Sequence, residues 1–111
     1  MINYHKERFN CAHWAINEIN NVHGTNIKFE DGDAWQASFL PFLRGYFKPV
    51  DRPVDECLVV MTTQSNSFHV GIYRNFSVHH NYNFGSSGCV IISDMGSIRA
   101  EFKRVRFYAI S

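Results

Sequence analysis

The chain has 111 residues, with 11 Lys plus Arg against 10 Asp plus Glu, three Cys, and 17 aromatic residues (ten Phe, five Tyr, two Trp). That length supports a single domain, residues 1–111, and so aromatic a chain lies far from the composition of disordered sequences. A formal net charge of +1 without a dense basic face excludes a nucleic-acid footprint, and no apolar run approaches the roughly 18 residues of a membrane span.

Met1 to Arg8 contains no apolar stretch of the secretory type, so the chain is expected to be soluble and cytoplasmic as synthesised. The three cysteines, Cys11, Cys57 and Cys89, are an odd set without Cys-x-x-Cys spacing, and reduced thiols are expected.

Asn10 is a good N-cap, and Ala12, Ala15, Ile16 and Ile19 recur at helical spacing ahead of Gly24, which predicts a helix from Cys11 to Val22. From Asp33 to Tyr46 the residues Ala34, Trp35, Phe39, Leu40 and Leu43 can form an apolar helical face. Pro41 and Gly45 interrupt it, so one or two short helices are expected rather than a long one.

Pro49, Arg52 and Pro53 mark a loop, after which short runs rich in Val, Ile, Phe and Tyr replace the helical period. Five strands are predicted: Cys57 to Thr63, Phe68 to Tyr73, Ser77 to Tyr82, Cys89 to Ser93 and Val105 to Ala109. The turns between them fall at Gln64 to Ser67, Arg74 to Phe76, Gly85 to Gly88 and Asp94 to Ser97, and Arg99 to Arg106 reads as half-solvated strand. Short connections imply an antiparallel meander, packed on the N-terminal helices in an α+β domain.

Cys11 stands in the first turn of the predicted helix, where unpaired amides and the positive end of the dipole favour a thiolate and can also receive an oxyanion. A buried packing cysteine is the plainer alternative. On the second strand His69, Gly71 and Tyr73 share one face while Val70 and Ile72 point into the core. The glycine leaves room beside the imidazole for the neighbouring helix, so His69 can meet a thiol as its base. The next strand carries Val78, His79, His80 and Asn81, and because neighbours alternate, either His79 or His80 can orient that base, but not both. Cys11, His13, His69, His79 and Cys89 are all potential zinc ligands, yet their spacings match no compact metal motif, and no metal or cofactor is expected.

Asn10-Cys11 heading an amphipathic helix, Leu58-Val59-Val60, His69-Val70-Gly71-Ile72-Tyr73, Val78-His79 and a closing Val105-Arg106-Phe107-Tyr108 together span nearly the whole chain. In this order they resemble the NlpC-type family of papain-like cell-wall peptidases, most of all the compact versions in bacteriophage tail and prophage proteins. The resemblance implies a papain-like fold with about five strands and a site in which Cys11 is the nucleophile, His69 the base and His79, following the apolar Val78, the orienting residue. It further implies hydrolysis of amide bonds in peptidoglycan stem peptides, a setting in a virion tail acting in the cell envelope, and phage tail proteins as partners. A papain-like binding or structural tail module without turnover is the alternative.

Overall fold

Ala12, Ala15, Ile16 and Ile19 fall on one stripe and are all buried, and this stripe makes Cys11–His23 the first helix, α1. Gly24 ends it with a φ of 68°, the left-handed conformation that closes a helix at low cost to glycine. The computed structural model describes residues 11–29, 35–84 and 87–111. The cap expected at Asn10 and the first half of the turn expected at Gly85 to Gly88 lie outside these residues, and Ser87 and Gly88, expected in that turn, open a strand instead.

The second helix, α2, runs unbroken over Trp35–Tyr46 with Pro41 inside it. A proline at this point forfeits one bond, to the carbonyl of Ala37, and burial of Phe39 and Leu43 on either side of it outweighs that loss. The strands are β1 Phe47–Val50, β2 Cys57–Thr62, β3 Phe68–Arg74, β4 Ser77–Phe84, β5 Ser87–Asp94 and β6 Arg104–Ile110, with a third helix, α3 Met95–Glu101, between β5 and β6. They form one open antiparallel sheet in the order β1-β6-β2-β3-β4-β5, so the sheet has six strands rather than about five.

Two elements differ from the sequence expectation. β1 is a short edge strand in spite of Pro49, which an edge tolerates because its missing amide costs no ladder bond. The segment read as a turn at Asp94 and as strand from Arg99 is α3, capped by Asp94, whose carboxylate accepts from the Ser97 amide at 2.9 Å and the Ser97 hydroxyl at 3.0 Å.

Strict alternation divides the core between the two faces of the sheet. Leu58, Val60, Val70 and Ile72 pack with α1 and α2, while Cys57, Val59, Met61, Val78 and Phe107 pack with Ile98 of α3 and with Phe102. Arg74 at the end of β3 locks α1 in place across the first face: it donates to both Glu56 oxygens at 2.6 and 2.7 Å and to Glu18 of α1 at 3.2 Å. The fork geometry holds the Glu56 carboxyl below its usual range.

Candidate active site

α1 starts over the middle of the sheet because its apolar stripe covers β3 and β4, and this delivers Cys11 to the line where those two strands part. β3 and β4 pair only from Ile72 opposite His79 to Arg74 opposite Ser77. Farther back along β3 the backbone of Phe68 turns instead to the side chain of Gln36, donating to its carbonyl oxygen at 2.6 Å and accepting from its amide at 3.0 Å. Amide directions repeat every second residue along a strand, so the Val70 amide points into the same gap. The Cys11 thiol fills that gap and receives hydrogen bonding from the Val70 backbone, as well as from the amides of Ala12 and Cys11 itself.

His69 leaves the strand on the face opposite Cys11, because it alternates with Val70, so the expected meeting of imidazole and thiol on one face is not made. It lies beside its cross-strand partner Met61, and its ring stacks flat on Phe102 with centroids 5.9 Å apart and 6° between planes. Its Nε2 lies 2.8 Å from Nδ1 of His80, and His80 Nε2 lies 3.0 Å from the Ser93 hydroxyl. Donation from His69 Nε2–H to His80 Nδ1, and from His80 Nε2–H to Ser93, gives each ring one proton and leaves the lone pair of His69 on Nδ1.

The histidine that meets His69 is therefore His80. His79 lies across the sheet, opposite Ile72, where Arg74, Glu56 and Glu18 are the charged groups around it. The room above Gly71 is filled by β4, not by the helix: a Cβ there would stand 2.8 Å from the His79 carbonyl oxygen, 2.8 Å from Val78 Cγ1 and 3.0 Å from His80 Cβ. Ser93, Phe102 and Gln36 carry no motif in the sequence. Only the register of β5 on β4, with Ser93 opposite Val78, brings Ser93 under His80.

Burial dominates the electrostatics. Cys11 is 4% exposed, and desolvation pushes its thiol up to about 12, outweighing the amides that favour the thiolate. The helix-start argument for a low-pKa sulfur is thus overridden in this fold. Desolvation first and the neighbouring His80 second push His69 down to about 3, while desolvation and His79 push His80 down to about 4. At neutral pH the site holds a thiol and two neutral imidazoles.

These two histidines give the fold an acid-sensitive stability. Below their ordinary value of 6.5 the unfolded chain takes up protons that the folded chain refuses, so stability falls as pH drops from about 6.5 toward 4. The expected loss between pH 6.5 and 4.5 is on the order of 3 kcal/mol. Urea unfolding at pH 7, 6 and 5 measures it; an unchanged midpoint in the parent, or an equal slope in His80→Asn, would exclude this origin.

Among the described residues no three His, Cys, Asp or Glu side chains gather as metal ligands, and no helix is long and apolar enough to cross a membrane. No family model matches the chain, and no curated protein and no solved structure matches it either. Fold and site together define an α+β domain whose open antiparallel sheet parts to admit a helix-start cysteine, with a hydrogen-bonded histidine pair on the two parting strands.

Proposed function

We propose that this chain is a papain-like cysteine hydrolase of the NlpC type, cutting amide bonds in the stem peptides of peptidoglycan in the setting of a phage tail. The observation that carries the reading is the junction at Val70, whose amide reaches the Cys11 thiol while the preceding residue carries the His69–His80–Ser93 chain. In the proposed reaction sulfur adds to the substrate carbonyl as its proton passes to His69, a transfer that requires the imidazole, which leaves β3 on the opposite face, to reach the thiol through the gap where β3 and β4 part. His69 then passes that proton to the departing amine, leaving a thioester, and water completes hydrolysis by adding to the thioester as His69 accepts its proton and returns it to sulfur. Amides at the start of α1 are available to the developing oxyanion.

Starting from a neutral thiol, the cycle depends on base catalysis at the moment of attack rather than on a standing thiolate and imidazolium pair. The same burial of Cys11 favours a second reading, a papain-like binding or structural tail module without turnover. Defined muropeptides incubated with the protein and analysed by mass distinguish the two. New products that vanish in Cys11→Ala support the hydrolase and name the bond; an unchanged muropeptide profile supports the module.

A further inference from the structure

A groove of about 280 Å³ lies on the helix-covered face of the sheet, far enough along β2 and β6 that α2 overhangs only one side of it, through Leu40. Its floor is Val60 and Phe68, and Tyr108 closes one end. Arg104 and Arg106 stand at its mouth, placed there by register: Arg104 lies opposite Thr62 and Arg106 opposite Val60, so both share the face of Val60. Two residues apart on one strand, their Cα atoms are roughly 7 Å apart, and both side chains are exposed.

Among the described residues neither guanidinium has an ion pair or a hydrogen bond; the carboxylate partners go to Arg74, and the adjoining Lys103 is held by Asn66 at 2.6 Å. Among the described residues no acidic side chain lines the groove. An apolar floor under two uncommitted forks is complementary to a ligand that joins a carboxylate to an apolar side chain. The size suits a ligand at the small end of the usual range, and a net charge of +1 with two guanidiniums is too sparse for a polyanion track.

We propose that this groove captures the C-terminal carboxylate of a short peptide, with Arg104 and Arg106 on the carboxylate and the last apolar side chain on Val60 and Phe68. The site is independent of the Cys11 chemistry, and its test needs no turnover. Calorimetric titration of the whole chain with N-acetyl-alanyl-leucine, as the free acid and as the C-terminal amide, reads it directly.

Saturable binding of the acid is expected, at least tenfold weaker for the amide and at least tenfold weaker for Arg104→Gln with Arg106→Gln, a pair of surface changes that leaves the fold intact. Equal binding of acid and amide overturns the proposal, as does no saturable binding of the acid. Full displacement of the acid by an equal concentration of inorganic phosphate also overturns it, since that would mark a bare anion site with no use for the apolar floor.

Discussion

His69→Ala is expected to slow hydrolysis of muropeptides by about a hundred- to ten-thousandfold, the range over which a positioned proton acceptor contributes. The two neighbouring histidines then separate by face. His80→Ala removes the group that fixes the tautomer of His69 and is expected to cost roughly a hundredfold, whereas His79→Ala, whose side chain leaves β4 on the other face, stays within about twofold of the parent. Because His80 is buried, truncation also opens a cavity, so the informative comparison is His80→Asn. An asparagine that restores an acceptor toward His69 Nε2 should recover part of the rate and shift the acidic limb of the pH profile, and a purely structural role for His80 would move neither. Initial rates with circular dichroism as a check on folding supply the measurement. If His79→Ala loses as much as His69→Ala while His80→Ala keeps the parent rate, the orientation chain is misassigned.

That choice between two adjacent histidines shows where sequence reasoning stops. The strands themselves are legible, since Leu58, Val60, Val70 and Ile72 alternate with their neighbours and pack on one face as the period demands. The face of a residue on β4, however, depends on the number of residues in the hairpin before it. Asn75 and Phe76 make a two-residue connection with φ of 53° and 62°, a conformation ordinarily announced by glycine and here built without one. One residue more or fewer in that loop would exchange His79 for His80.

Cys11 was legible as a helix-start cysteine but not in its depth. A thiol in the first turn is read from local sequence, while the parting of β3 from β4 that swallows it depends on Gln36, thirty-two residues from Phe68. α3 was hidden for a similar reason: Asp94 serves equally as a turn residue and as a helix cap, and what decides is burial of Ile98 against the sheet. Of the papain-like expectation, the structure shows helices packed on an open antiparallel sheet.

Gly71→Ala is expected to be among the most damaging single-methyl additions this fold can receive. The new Cβ would lie 2.8 Å from a backbone carbonyl oxygen of β4 and 2.8 Å from Val78 Cγ1, and neither is the free end of a flexible side chain. Relief requires β4 to lift from β3, and the third neighbour, His80 Cβ at 3.0 Å, moves with it. Overpacking of this kind costs about 3 kcal/mol, which for a domain of this size is roughly 10–15 °C in Tm. The His69–His80 hydrogen bond should lengthen at the same time, so hydrolysis falls in whatever fraction remains folded. Gly45→Ala is the matched control. A Cβ at Gly45, in the last turn of α2, meets nothing within 4 Å, and replacing a helical glycine by alanine is worth about 0.5–1 kcal/mol of added stability. Thermal unfolding of the two variants should therefore bracket the parent, Gly45→Ala above and Gly71→Ala far below. A Gly71→Ala protein melting within about 2 °C of the parent would mean that β4 does not press on this glycine, and the packing that brings His80 to His69 would have to be abandoned with it.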